Sequence, residues 1–311
     1  MSRYSSQKNI YLGILFLAII LMGYLFIFPY HYKVGFDTKQ PPGVVFDHLR
    51  SWPEFDERDS AFVSNVDILM YQRLVQDIKQ AQGRLSVDWQ ITRESDSSTR
   101  VEGRFSAKDN ALIQKLAVPF GLSYVPSSSI SLTQSLAKRL IENGKNFRTL
   151  GIRDTVVSSV FYAYVPVETK EAQKAQSMLR EISTVMDYIK GNDIPLSGDP
   201  FIQVTSWDPM TRDLSFDFCF PIDSLASRPS HPKVQFGHLS PKRYLKTMFN
   251  GNYRISQQGW YTLMDYAHRN DIELGTDLIE IYRNDPHQGG DSMEWVAEIL
   301  MPIIDSSIDR E

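Results

Sequence analysis

A stretch that occurs twice in the second half of this 311-residue chain decides its fold. The copies are Asp187-Tyr188-Ile189-Lys190-Gly191-Asn192-Asp193-Ile194 and, 78 residues later, Asp265-Tyr266-Ala267-His268-Arg269-Asn270-Asp271-Ile272. Farther along, Phe220-Pro221-Ile222 returns as Met301-Pro302-Ile303. Self-similarity is the signature of repeated supersecondary units. Because only two copies are visible, the sequence predicts a pseudo-twofold domain with a ligand groove where its halves meet.

Each copy reads as one strand, one amphipathic helix and a two-stranded hairpin. Apolar residues recur every three or four positions from Ala175 to Ile189, and again from Trp260 to Ala267, as on a helix that buries one face. The strands of the first copy are predicted at 156–165, 201–207 and 214–222, and those of the second at 234–239, 278–282 and 295–303. Helices packed on a mostly antiparallel sheet predict an α+β fold.

The N-terminal segment predicts a membrane anchor. No charged residue occurs between Ile10 and Tyr30, and a bilayer crossing takes about 20 apolar residues. A cleaved signal peptide is the alternative, but Phe28-Pro29-Tyr30-His31 offers no small-residue cleavage site. Arg3 and Lys8 before the span favour a cytoplasmic N-terminus. We therefore expect a single-pass protein of a bacterial inner membrane whose remaining domains lie in the periplasm.

Composition excludes several classes of function. The net charge of −4 and pI near 5.9 argue against nucleic acid as a partner, because binding phosphates requires a basic surface. The single cysteine, Cys219, excludes an internal disulfide, and the six histidines lack metal-ligand spacing. No phosphate-binding loop or dinucleotide fingerprint is present. We expect neither a metal nor a cofactor.

The C-terminal half resembles the GyrI-like family, which is also known as the effector-binding domain of AraC-type regulators. Four runs of residues within about 155–305 carry the resemblance: Gly251-Asn252-Tyr253, Gly259-Trp260-Tyr261-Thr262-Leu263, Glu280-Ile281-Tyr282-Arg283-Asn284-Asp285-Pro286 and Ala297-Glu298-Ile299-Leu300-Met301-Pro302-Ile303. The resemblance implies a groove between the repeats for small, often cationic organic molecules. It also implies an acidic side chain on a central strand, surrounded by aromatic rings.

The region before it resembles the SRPBCC superfamily, the START and polyketide-cyclase-like helix-grip domains, through the run from Pro41 to Phe55. About four strands are apparent between Tyr32 and Ser106, where a complete helix-grip sheet has six or seven, so the resemblance implies a reduced domain. The predicted organisation is a short N-terminal tail (1–9), a transmembrane anchor (10–30), an SRPBCC-like domain (31–150), a GyrI-like domain (151–305) and a polar tail (306–311).

The resemblance places the ligand acid at Glu298, with Glu280 on the neighbouring strand. The repeat relates Glu298 to Asp217 and Glu280 to Gln203, so three of these four positions are acidic. Strand alternation puts Glu280 with Tyr282 on one face and Ile279 with Ile281 on the other, and we expect the isoleucines to cover the helices. The predicted aromatic walls are Tyr253, Trp260, Tyr282 and Trp295, which would attract a cation through their π faces. The alternative is that both glutamates are solvated or paired with Arg254 or Arg283.

These observations predict a membrane-anchored protein that binds or sequesters an amphipathic, cationic small molecule. No DNA-reading helix-turn-helix is apparent. Two alternatives remain open. One is a hydrolase of a small electrophilic toxin that uses Glu298 or Glu280 with Tyr282. The other is a non-catalytic module that docks a protein partner, whose identity the sequence does not indicate.

Overall fold

The computed structural model describes residues 2–51, 62–224, 228–285 and 289–304. Within the first helix, side chains are described at 11–20, 22–25 and 27. The chain divides into two compact units. One comprises 1–38, 48–94 and 99–139, and the other comprises 39–47, 95–98 and 140–311. Part of the run that resembles the SRPBCC superfamily, at 52–55, and the predicted tail at 306–311 lie outside the described residues. The domain boundaries stay a prediction.

The first helix, α1 (Ser2–Ile27), covers most of the segment predicted to cross a membrane. Among the residues that the structure describes, no helix combines the length and apolarity that such a crossing requires. The predicted transmembrane anchor at 10–30, the membrane as a partner, and the single-pass inner-membrane placement with periplasmic domains are therefore wrong.

The first unit contains a five-stranded sheet in the order β1-β5-β4-β3-β2. Its strands are β1 (Tyr32–Thr38), β2 (Phe62–Leu69), β3 (Arg73–Gln80), β4 (Gly83–Ser95) and β5 (Ser98–Ala107). Alternate side chains are buried, as a sheet with one covered face requires. Trp89 has no exposed surface, packs edge-on against Phe105 and donates to Gln76 at 2.9 Å. Five strands are present where the sequence indicated about four.

Three further helices precede the second sheet in the chain: α2 (Pro42–Arg50), α3 (Ala111–Ala117) and α4 (Val125–Gly144). Beyond them, the second unit contains an eight-stranded sheet in the order β10-β7-β9-β8-β12-β13-β11-β6. The sheet and its two helices are formed by β6 (Phe147–Val157), β7 (Val160–Lys170), α5 (Lys174–Gly191), β8 (Phe201–Trp207), β9 (Asp213–Pro221), β10 (Gln235–Leu239), β11 (Lys242–Gly251), α6 (Gln258–Arg269), β12 (Ile279–Tyr282) and β13 (Val296–Pro302).

The order strand-helix-strand-strand occurs twice in this sheet, as β7-α5-β8-β9 and as β11-α6-β12-β13. The two copies meet at β8 and β12, where Phe201, Ile202 and Gln203 pair with residues of β12. The segment 234–239, predicted as the first strand of the second copy, is instead the edge strand β10. Serine and proline are frequent at 224–232, just before this short run, whereas β11 begins with the charged residues Lys242 and Arg243.

The repeated stretch is a helix C-terminus. Asn192 and Asn270 donate from Nδ2 to the carbonyl oxygens of Tyr188 and Tyr266, and each follows the last turn of its helix. The aspartate after each asparagine is left-handed, with φ of 51° at Asp193 and 52° at Asp271. Short polar side chains adopt this conformation more readily than most others. The same stop signal therefore ends both helices and returns the chain to the sheet.

Candidate functional site

The side chains of strand β12 alternate between two chemically different faces of the eight-stranded sheet. Its residues Glu280 and Tyr282 are buried on the side that packs against α5 and α6, which we call the helix face. Ile279 and Ile281 lie on the opposite side, which we call the open face. Their orientation is the reverse of the expectation that the isoleucines cover the helices. Glu298 pairs with Ile281 and so lies on the open face.

Glu280 lies in a fully enclosed cage and has no exposed surface. Lys174 Nζ is 2.7 Å from each carboxylate oxygen, and Ser256 Oγ donates to Glu280 Oε2 at 3.0 Å. Trp260 Nε1 and the Tyr282 hydroxyl also donate to this carboxylate. Four side chains thus donate hydrogen bonds to the Glu280 carboxylate, and these bonds are what allow it to be buried.

Aromatic rings form the rest of the cage. Lys174 Nζ lies 4.8 Å from the centre of the Trp260 ring, within the range of a cation–π contact. Tyr253 packs on Tyr282 with ring centres 4.8 Å apart and on Trp295 at 5.7 Å. Burial lowers the pKa of Lys174, and the charge of Glu280 opposes that shift. Burial also raises the pKa of Tyr282 well above its ordinary value.

A second buried charge cluster adjoins the cage and was not predicted from the sequence. Glu171 accepts from Trp207 Nε1 and the Tyr261 hydroxyl, each at 3.0 Å, and from Arg212 Nη1 at 2.9 Å. Arg212 Nη2 also donates to Asp47 at 2.8 Å. The Trp207 and Trp260 rings meet edge to face at 5.1 Å and so join the two clusters. Glutamate, lysine and arginine are usually exposed, so nothing in the sequence marked these as interior.

Glu298 and its partners occupy the open face. Lys246 Nζ lies 2.6 Å and Arg283 Nη2 lies 3.1 Å from Glu298 Oε2, and Arg283 Nη1 also reaches Asp199 at 2.6 Å. Burial alone would raise the pKa of Glu298, but the bonds from Lys246 and Arg283 outweigh it and hold that pKa below its ordinary value. The predicted alternative of pairing with Arg283 is therefore what Glu298 shows.

Asp217 also lies on the open face, in the first repeat, and pairs with Gln203 in register. Its carboxylate is partly buried, and among the described residues it has neither a hydrogen bond nor an ion pair. Because burial is not offset by a cation, the pKa of Asp217 is raised to about 6. The structure thus brings together five of the predicted site residues on the helix face, Glu280, Tyr282, Trp260, Tyr253 and Trp295, and places Glu298 and Asp217 on the open face.

A cavity of about 570 Å³ opens on the open face where the two repeats meet. Phe161, Phe201 and Pro221 line it from the first repeat, and Ile279, Ile281 and Arg283 line it from the second. Leu239 of β10 closes one side, and Asp199 and Asp223 stand among the polar groups of its wall. This cavity is where a groove between the repeats was expected, but its floor is formed by the isoleucines of β12 instead of the carboxylate of Glu280.

Three solved structures are similar to part of this chain. The crystal structure of the EcmrR C-terminal domain matches with 15% identity and a TM-score of 0.44, over 50% of this chain and 98% of that one. The structure of SAV2435 bound to tetraphenylphosphonium matches with 12% identity and a TM-score of 0.36, over 52% of this chain and 98% of that one. A hydrolase from Listeria innocua matches with 12% identity and a TM-score of 0.32, over 49% and 92%.

No curated protein matches the chain in sequence. The family model described as "GyrI-like small molecule binding domain" matches residues 164–304, a span that contains the second repeat, the first repeat except 160–163, and every predicted site residue. The assignment of the preceding region to the SRPBCC superfamily stays a prediction. Residues 164–304 of this chain are a GyrI-like small molecule binding domain.

Proposed function

We propose that this domain binds a small amphipathic organic cation in the open-face cavity between its repeats. The observation that carries the proposal is the cavity itself, about 570 Å³ in volume and lined from both repeats. Small-molecule sites typically occupy about 300–1,000 Å³ and are mostly apolar with a few convergent polar groups. Phe161, Phe201, Leu239, Ile279 and Ile281 supply the apolar surface for a ligand body.

The charges in and near the cavity support a cationic ligand. The charged side chains among the residues that line the cavity are the carboxylates of Asp199 and Asp223 and the guanidinium of Arg283, so the carboxylates are in excess by one. Arg283 is bound on both sides by carboxylates, so its own charge is already matched. A cation on the open face reduces this excess of negative charge, whereas an anion increases it.

Binding rather than hydrolysis is the activity that the geometry favours. Glu280 and Tyr282 are hydrogen-bonded, as a glutamate–tyrosine catalytic pair would require, but both lie on the helix face behind buried side chains. Lys174 also holds both carboxylate oxygens of Glu280. A general base must reach the proton that it abstracts, and within the described part of the chain Glu280 has no exposed surface.

We also propose that the first unit is a reduced SRPBCC-like domain. Its support is the five-stranded sheet in which β1 and β2 form opposite edges, with helices before and after the strands. This proposal concerns the fold alone, and it assigns no ligand to the first unit.

Tetraphenylphosphonium and tetraphenylborate give a sharp test, because they share a shape and carry opposite charges. Isothermal titration of the full chain should show binding of the phosphonium and weak or no binding of the borate. Ile281→Trp fills the cavity and should abolish phosphonium binding, whereas Leu179→Trp on the exposed side of α5 should leave it unchanged. Equal affinity for both ions would refute the preference for cations. Full phosphonium binding by Ile281→Trp would refute the site.

A further inference from the structure

The two repeats carry a carboxylate at equivalent positions of the open face, and only one of the two is neutralised. Asp217 pairs with Gln203 on β8 just as Glu298 pairs with Ile281 on β12. On the other side, Asp217 pairs with Pro166 and Glu298 with Met248. The register therefore equates Gln203 with Ile281 and Ile202 with Glu280, which corrects the sequence alignment that had placed Glu280 on Gln203.

The two cations that neutralise Glu298 have no counterpart beside Asp217. The register equates Lys246 with Tyr164, because Lys246 pairs with Leu300 and Tyr164 pairs with Cys219. Strand β8, which corresponds to the strand before Arg283, contains no basic residue at all. The acid is thus present in both repeats, whereas its counter-ions are present only in the second.

Two tyrosines of β7 lie on the same face as the unneutralised acid: Tyr164 pairs with Cys219, two residues from Asp217, and Tyr162 donates to Gln203, the register partner of Asp217. The rings of Tyr162 and Tyr164 lie 5.7 Å apart on the same face. Their hydroxyls donate to other acceptors, Tyr162 to Gln203 at 3.0 Å and Tyr164 to Gln235 at 2.9 Å, and the rings are thereby held in place. Burial raises the pKa of both tyrosines and of Cys219, so these three groups are neutral near pH 7. The register also places Glu168 of β7 on this face, opposite Ser215. A carboxylate beside aromatic rings is a recognised setting for an ammonium group.

The surface formed by Asp217, Tyr162 and Tyr164 adjoins the proposed ligand cavity. Phe201 lines the cavity, pairs with Cys219 in register and meets the Tyr162 ring edge to face at 5.2 Å. Asp217 is two residues from Cys219, which is roughly 7 Å along an extended strand. An apolar body in the cavity with a charged group a few bonds away can therefore reach the carboxylate.

We propose that Asp217, Tyr162 and Tyr164 form the subsite that receives the ammonium head group of an aryl-alkyl ammonium ligand. This inference rests on the proposed function, because it deepens the chemistry of the same face. Asp217 is then the residue that sets specificity for charge, while Phe201, Ile279 and Ile281 hold the apolar body.

A pair of isosteric probes separates the two proposals. 4-Phenylbutylammonium and the neutral 4-phenylbutan-1-ol should both bind the full chain, the ammonium more tightly. Asp217→Asn should weaken the ammonium by roughly tenfold or more, as expected for loss of a charge-assisted contact, and leave the alcohol unchanged. Asp213→Asn, an exposed carboxylate on the same strand, is the matched control and should change neither affinity.

Each failure has a distinct reading. If the wild type binds neither probe and does not bind tetraphenylphosphonium, the proposed function is wrong and this subsite falls with it. If the alcohol and the phosphonium bind but Asp217→Asn leaves the ammonium affinity intact, the cavity stands and the subsite is refuted. Tyr164→Phe provides a second variant should the Asp217→Asn protein not fold. It should retain the ammonium preference, because the ring and not the hydroxyl contributes the contact.

Discussion

Lys174 Nζ lies 2.7 Å from both carboxylate oxygens of Glu280, and neither residue has any surface exposed to solvent. The lysine comes from the start of α5 in the first repeat and the glutamate from β12 in the second. The pair therefore links the two repeats through the interior of the helix face. Desolvating both charges is costly, and it is tolerated only because each finds its partner and further hydrogen bonds.

Removing the lysine should be severely destabilising. Lys174→Met leaves Glu280 buried without a counter-ion, and breaking a buried pair in this way costs about 3–5 kcal/mol. Denaturant unfolding monitored by tryptophan fluorescence measures the loss. Lys170→Met, which removes an exposed lysine paired with Asp213, is the control and should cost less than about 1 kcal/mol.

A second substitution tests whether the loss comes from the uncompensated charge. Adding Glu280→Gln to Lys174→Met removes the orphaned carboxylate, so the double variant should be more stable than Lys174→Met alone. The interaction free energy in the double-mutant cycle should be about 0.5–3 kcal/mol. Strict additivity of the two losses would show that the residues do not act as a pair.

Removing the Tyr282 hydroxyl should also lower the free energy of unfolding, because this hydroxyl donates to the same carboxylate. Tyr282→Phe keeps the ring that packs on Tyr253 but deletes one donor to Glu280. A buried acceptor that loses its partner costs about 1–3 kcal/mol. Urea unfolding should show this loss in Tyr282→Phe and a smaller one in Tyr266→Phe on α6, and equal losses would contradict the assignment.

Replacing Arg212 even by lysine should destabilise the fold. Its guanidinium reaches Glu171 and Asp47 at once through different nitrogens, and a lysine ammonium cannot span both in this geometry. Neighbouring carboxylates raise the pKa of Arg212 further against the effect of burial, so it stays charged. Arg212→Lys should lower the melting temperature by several degrees. A wild-type melting temperature would show that one of the two contacts contributes nothing.

The pKa of Asp217 predicts how stability depends on pH. Its folded-state pKa of about 6 is above the ordinary value of 3.8, so the folded protein holds the proton more firmly than the unfolded chain does. This contribution to stability is complete below pH 3.8 and is lost as the pH rises through about 6. Asp217→Asn should therefore stabilise the protein more at pH 7.5 than at pH 4.5, as measured by urea unfolding at both pH values. An equal effect at both would contradict a raised pKa.

The repeat could be read from the sequence because its signal is local. Asn192-Asp193 and Asn270-Asp271 stop a helix wherever they occur, and the apolar stripes before them show which face each helix buries. The pairing partners of Lys174, Glu171 and Arg212 could not be read, because these residues are far apart in the chain and their residue types are usually solvated.

The orientation of β12 shows a second limit. Alternation in Ile279-Glu280-Ile281-Tyr282 determines which side chains share a face, but it does not determine which face is buried. The isoleucines were expected against the helices because they are apolar. The structure instead buries the charged set, since Lys174, Ser256 and Trp260 supply its partners, and leaves the isoleucines to form the floor of the cavity.

Three register pairs join β8 to β12, and backbone hydrogen bonds from Val204 to Leu278 and from Tyr282 to Pro200 extend this junction between the repeats. A ligand in contact with Phe201, Ile279 and Ile281 touches both repeats. Separating the repeats would break these contacts, so the bound ligand should oppose their separation. Ligand binding should therefore raise the mechanical stability of the domain. In single-molecule pulling, the ligand-bound domain should unfold at a higher force than the ligand-free domain.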